Sequence, residues 1–208
     1  MDDLGFVHRY LPAEGGSNRV LFLLHGTGAD ENNLIPIGRA LDPQAALLSP
    51  RGKVLENGAP RFFRRFAEGV FDEEDVVRRA HELADFVVAA ATTYRFDAEN
   101  VVAVGYSNGA NIAAALMLLR PEIVRAAILF RAMVGLTTPP QPDLSGVRVL
   151  ISNGAHDPII PLSNGERLAG SLRDAGAAVT FLAQPADHAL TRQDLIVGVD
   201  WLADGART

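Results

Sequence analysis

Apolar residues along the chain follow two rhythms. Short, nearly continuous apolar runs at 7–11, 19–25, 45–49, 101–105, 126–130, 147–152 and 179–184 read as strands. Most show no polar alternation, as expected of strands covered on both faces. Between them, apolar positions recur at helical spacing. The clearest case is 72–94, where Val76, Ala80, Leu83, Val87 and Ala91 form one stripe. Further helices are expected over 31–40, 108–119, 165–174 and 194–203. Alternation of the two patterns predicts βα units: one α/β domain over 1–208, with a mostly parallel sheet of about seven strands flanked by helices.

Two connections carry information. Residues 50–71 are rich in Gly, Pro, Arg and Phe and read as an ordered surface loop. The link between the strands at 126–130 and 147–152 is short and contains Pro139, Pro140 and Pro142. It has room for little more than a turn of helix, so no large lid domain is expected. The run Asp72-Glu73-Glu74-Asp75 suggests a metal site at first sight. At a helix start, however, acidic side chains cap free N–H groups and complement the dipole, and that reading is preferred.

Composition narrows the function classes. An apolar fraction of 48% and a charged fraction of 21% describe an ordinary globular chain. The net charge of −6 argues against nucleic acid as a partner, because non-specific binding needs basic surface. Cysteine is absent, which removes disulfides, thiolate metal sites and a cysteine nucleophile, and fits a reducing compartment. Met1-Asp2-Asp3-Leu4 shows no basic or apolar leader, and no apolar stretch approaches the roughly 20 residues of a membrane helix. The expectation is a cytoplasmic protein without stable membrane association.

Gly105-Tyr106-Ser107-Asn108-Gly109 is a G-x-S-x-G sequence between a strand run and a helical run. A turn this tight needs small residues on both sides of the serine, and it lifts the hydroxyl to a helix N-terminus. The plainer reading of Ser107 is a simple helix cap. With the strand before it and the helix after it, the nucleophile reading is preferred.

A serine needs a base. In this arrangement the order along the chain is Ser, then an acid, then His. His156 and His188 follow Ser107, and only His188 leaves an acid before it in a strand-end loop, so His188 is the expected base. Asp157, in Asn153-Gly154-Ala155-His156-Asp157-Pro158, is the expected acid, with Asp143 as its rival. Asp187 adjoins His188 and would point away from it, and His156 reads as a rim residue. Oxyanion donors are expected from the backbone N–H groups of Asn108 and of Thr27, in His25-Gly26-Thr27-Gly28. That glycine turn also suggests a phosphate loop, but the Gly-Lys-Ser/Thr ending is missing. His25, Phe62, Phe63, Phe71 and Tyr106 are expected to line the substrate pocket, although loop aromatics are equally often core. Arg64 and Arg65 read as solvated or ion-paired, with attraction of an acidic substrate as the alternative.

With these pieces in place the sequence resembles the phospholipase/carboxylesterase family of small α/β-hydrolases. The resemblance rests on His25-Gly26-Thr27-Gly28-Ala29-Asp30, the elbow at 105–109, Gly154 to Pro158, and His188 before the last helix. Leu48-Ser49-Pro50-Arg51-Gly52, Arg61-Phe62-Phe63-Arg64-Arg65 and Glu68-Gly69-Val70-Phe71-Asp72 are similar to a bacterial branch linked to hydroquinones. It implies the α/β-hydrolase fold, hydrolysis of short-chain carboxylic esters without cofactor or metal, oxyanion donors at Thr27 and Asn108, and, more weakly, a homodimer. Thioesterase or lysophospholipase chemistry would use the same residues, and a non-catalytic ligand sensor is the rival of another class. The sequence departs from the family's pattern in two places. Asp187 and Ala189 stand where glycines usually flank the histidine, and Ala132 stands where a proline often follows the arginine.

Overall fold

The computed structural model describes residues 4–205. Residues 1–3, on which the reading of the N-terminus rests, lie outside the described residues. The strands of the main sheet are β1 (His8–Leu11), β2 (Val20–Leu24), β3 (Ala46–Pro50), β8 (Val101–Tyr106), β9 (Ala126–Phe130), β10 (Arg148–Gly154) and β11 (Ala178–Gln184). The short strands β4 (Val54–Glu56), β5 (Ala59–Arg61), β6 (Arg65–Ala67) and β7 (Val70–Phe71) fall between β3 and β8. The helices are α1 (Ile35–Leu41), α2 (Glu73–Tyr94), α3 (Asn108–Leu119), α4 (Leu162–Asp174) and α5 (Arg192–Asp204).

The sheet runs in the order β1-β3-β2-β8-β9-β10-β11. Only β1 pairs antiparallel, with β3; every other pairing in it is parallel. Strands β2 and β3 are buried at every position, which explains their unbroken apolar sequence. Helices α2, α3 and α4 contribute to the core on one face, and α1 and α5 to the core on the other. This is an α/β-hydrolase architecture without a large extra domain.

Helix α2 begins where the acidic run suggests. Asp72 is its N-cap and accepts from the Asp75 N–H. Asp75 is buried and takes the Arg64 N–H at 2.7 Å together with the side chains of Arg78 and Arg79. Helix α1 starts four residues later than the apolar spacing indicates. Asp30 draws the Asn32 N–H into a local turn at 2.9 Å, and Pro36 sits in the first helical turn, where its missing N–H costs nothing. Residues 51–71 are more regular than a loop: β4 pairs with β5 and β6 with β7.

Every parallel strand that follows β1 ends at the same edge of the sheet. The turns after β2, β8, β9, β10 and β11 converge there, at the carboxyl ends where open α/β sheets build their sites.

Candidate active site

The turn after β8 is forced by contact distances. A side chain at Gly105 would place its Cβ 2.5 Å from the Ala110 Cα, and one at Gly109 would lie 1.9 Å from the Leu24 carbonyl oxygen. Only glycine lets α3 pack this closely on β2 and β8. Ser107 itself takes φ +53°, a conformation that disfavours a residue with a Cβ. It is held by its N–H to the Phe130 carbonyl at 2.9 Å and by the Asn111 N–H to its own carbonyl at 3.0 Å.

His188 reaches the hydroxyl from the loop after β11. Its Nε2 lies 3.0 Å from Ser107 Oγ, and its Nδ1 lies 2.7 Å from Asp157 Oδ2. A carboxylate only accepts, so Nδ1 carries the proton and Nε2 is left as an acceptor towards the serine. Asp157 Oδ1 is fixed in turn by the N–H groups of Ile159 (2.8 Å) and Ile160 (3.0 Å). The acid loop and the histidine loop touch through Gly154, where a Cβ would stand 2.3 Å from the Asp187 carbonyl oxygen. The structure therefore brings Ser107, His188 and Asp157 into one hydrogen-bonded chain. Asp143 is exposed and accepts from the Ser145 N–H, away from this chain. The Asp187 carboxylate is exposed and accepts from the Ala189 N–H. His156 is an exposed residue whose N–H ties its loop to Ala186.

Arg131 is the residue that sequence reasoning missed. It follows β9 with φ +53° and is completely buried. Its guanidinium forks onto both oxygens of buried Asp194, at 2.9 and 2.8 Å. The same group donates to the carbonyls of Asp187 (3.0 Å), Ala189 (2.6 Å) and Ser152 (3.0 Å). It thus grips the backbone on each side of His188. Tyr106 adds its hydroxyl, which donates to the His188 carbonyl at 3.0 Å. Burial pushes the Tyr106 phenol pKa up, so it remains a donor.

A cavity of about 270 Å³ contains Ser107, His188, Thr27 and Asn108. The N–H groups of Thr27 and Asn108 have no acceptor among the described residues. The turn carrying Thr27 is pinned by the Gly28 N–H to the Pro60 carbonyl at 2.9 Å.

Of the five residues expected to line the substrate pocket, Phe71 and Tyr106 line this cavity, and His25, Phe62 and Phe63 are buried outside its lining. Phe62 and Phe63 are buried in the core, Phe62 against the His25 ring and Phe63 against Phe71. The Phe62 N–H is held by Asn108 Oδ1 at 2.8 Å, which turns the ring inward rather than towards substrate. His25 is fully buried. Its Nε2 accepts from the Gly52 N–H at 3.0 Å, so Nδ1 bears the proton and donates to the Gly26 carbonyl at 2.7 Å. Burial holds its pKa below the ordinary histidine value, and the neutral ring braces the Thr27 turn from behind. Met133, Ile160, Arg61 and Glu68 line the cavity in their place. Arg64 pairs with Asp72 at 2.7 Å, and Arg65, also a lining residue, pairs with Glu56 at 3.0 Å and with Glu68.

Residues 12–197 match the phospholipase/carboxylesterase family. The chain belongs to that family. It is 45% identical over 193 residues to the MhqD hydrolase of Bacillus subtilis (strain 168), spanning 93% of this chain and 96% of that one. Among solved structures, the Bacillus cereus carboxylesterase superposes with a TM-score of 0.92 at 42% identity, over 94% of this chain and 92% of that one. A carboxylesterase from Mesorhizobium loti gives 0.93 at 36% identity, over 98% and 97%. Membership makes this phospholipase/carboxylesterase chain a hydrolase, and among the described residues no helix is long and apolar enough to cross a membrane.

Proposed function

We propose that the protein is a serine esterase that cleaves short-chain carboxylic esters through an acyl-enzyme on Ser107. The observation that carries this reading is the unbroken chain from Asp157 Oδ2 through His188 to Ser107 Oγ, at 2.7 and 3.0 Å. In the first half-reaction Ser107 Oγ attacks the ester carbonyl carbon while His188 Nε2 takes the hydroxyl proton. Asp157 keeps the imidazole in the required tautomer and stabilises the cation that forms. The carbonyl oxygen becomes an oxyanion, which the free N–H groups of Thr27 and Asn108 receive. His188 then returns its proton to the departing alcohol. Water enters, gives a proton to His188, and attacks the acyl carbon, so the acid leaves and Ser107 regains its hydrogen.

Substrate size follows from the cavity. An apolar pocket gains about 0.8 kcal/mol per buried methylene, and only while space lasts. In a cavity of about 270 Å³ that gain ends after a few carbons, so acyl chains of roughly C2 to C6 are preferred.

A fluorophosphonate probe tests the chemistry: it labels Ser107 in the wild type and leaves Ser107→Ala unlabelled, and turnover of an aryl butyrate stops in step with labelling. Turnover that persists in a fully folded Ser107→Ala variant defeats the reading. A series of aryl esters compared by kcat/KM below micelle-forming concentrations tests the size, and a maximum at C10 or longer contradicts it.

A further inference from the structure

The cavity around Ser107 contains two cations, Arg61 and Arg65, that the ester chemistry does not use. Arg61 ends β5 and is only 2% exposed. Its Nε donates to the Phe63 carbonyl at 3.2 Å and its Nη1 to Glu56 Oε2 at 3.2 Å. The remaining amino group, Nη2, has no partner among the described residues. Nor is it among the solvent-sealed buried atoms that lack a hydrogen bond. A buried guanidinium with one free, unsealed nitrogen beside a cavity presents that nitrogen to whatever occupies the cavity.

The burial of the Arg61 charge favours an anion there. Arg65 shares the same counter-ion, since its Nε lies 3.0 Å from Glu56 Oε1. Glu56 does not line the cavity and pairs with both cations from outside it. Glu68 lines the cavity, pairs with Arg65 and, without a hydrogen bond to Arg61, also favours the charged form of that residue. Burial first, and the neighbouring Arg65 charge second, disfavour the charged form of Arg61. An arginine does not escape by losing its proton, so an anion that meets Nη2 offsets the cost of burying the charge. Phe71, Met133 and Ile160 supply the apolar lining of the same cavity.

We propose that Arg61, aided by Arg65, is a specificity-determining residue that binds a free carboxylate carried by the substrate away from the scissile ester, so that the preferred substrates are carboxylate-bearing monoesters. The proposal rests on the serine-esterase reading and names the substrate class for that site. A hydrogen bond between two ionised partners is roughly twice as strong as a neutral one, and a site built for such a group discriminates against an analogue lacking it.

Two matched pairs of esters test it: a monoaryl adipate against the aryl heptanoate, and 3-carboxyphenyl butyrate against 3-carbamoylphenyl butyrate. In at least one pair the carboxylate ester is expected to lead by about ten-fold in kcat/KM, about 1.4 kcal/mol. Arg61→Gln is expected to bring that ratio to about one, and Arg61→Lys to an intermediate value. Should Arg61→Gln fail to fold, Arg65→Gln and Arg61→Lys are read instead, and both lower the ratio. A wild-type ratio at or below one in both pairs, or a preference that these variants keep, overturns the proposal. The esterase reading fails separately, through an unlabelled Ser107 and no turnover of any ester. Calorimetry on Ser107→Ala then still decides: tighter binding of monomethyl adipate than of dimethyl adipate, lost on adding Arg61→Gln, upholds the carboxylate site, and equal binding overturns it.

Discussion

The cleft is lined by two regions made in different ways. On the sheet side, Ser107, Arg131, Asp157 and His188 stand at or just beyond strand ends, and backbone hydrogen bonds and a buried ion pair fix their loops. In the hairpins of residues 51–71, Phe66 is 76% exposed, Leu55 68% and Val70 53%, and Arg65 and Glu68, which reach the cavity, are tied by ion pairs near the surface. On the serine-esterase reading, the first region sets the relative positions of the reacting atoms to within a hydrogen bond, and the second selects the shape and charge that enter. A change in the first is therefore expected to abolish chemistry or folding, and a change on the outside of the second to do little.

Asp157→Asn carries the largest expected effect. The amide keeps the shape but favours the wrong tautomer of His188, and turnover falls on the order of 10⁴-fold by analogy with other such triads. Steady-state kinetics at unchanged melting temperature measure it. Asp143→Asn serves as the control, and a crippled Asp143 variant with a mild Asp157 variant would reverse the assignment.

Arg131→Met comes next. It strips the partner from fully buried Asp194 and should cost about 3–5 kcal/mol in a denaturant melt. Burial pushes the Asp194 carboxyl pKa up, but hydrogen bonds from Arg131, Ser152 and Thr191 outweigh burial and hold it below the ordinary value. A depressed folded-state pKa contributes stability that is complete above the unfolded value, about 3.9, and is lost as pH falls through the folded one. Wild-type stability should thus decline below about pH 4, and Asp194→Asn should make that decline shallower. An acid limb of unchanged slope would remove Asp194 from the explanation.

The smallest effect is expected on the exposed side of β6 in the second hairpin. Phe66→Ser should change stability by no more than about 0.5 kcal/mol and leave kcat for small esters within about two-fold, because the ring is mostly in solvent. A loss comparable to that of Arg131→Met would erase the contrast between the two regions.

The same contrast explains what the sequence made legible. The elbow is readable because its steric demand falls on neighbouring residues: Gly105 and Gly109 are needed within two positions of Ser107. The apolar strands are readable because burial on both faces leaves no room for polar residues. Asp157 and His188 followed from chain order together with their places just past predicted strands. Arg131 was not readable as a clamp, since its partners lie 21 to 63 residues away and a lone arginine looks the same on a surface or in a core. Phe62 and Phe63 misled because composition cannot tell a loop aromatic that turns inward from one that meets substrate. The first hairpin did leave a signal: Asn57 and Gly58 both take positive φ, the Asn-Gly pattern of a tight β-turn.

Ser107 is held in its left-handed conformation by groups from three separate strands: its own β8, the Phe130 carbonyl of β9, and the end of β2 at Leu24, against which Gly109 is wedged. Neither cross-strand restraint exists in a chain that has only its helices, and each needs a different neighbour of β8. A refolding molecule is therefore expected to reach the full Ser107 geometry only once β2, β8 and β9 have come together, and a melting one to surrender it at the same step. On the serine-esterase reading, fluorophosphonate labelling during a brief pulse is then expected to follow the molecules in which that sheet centre is closed.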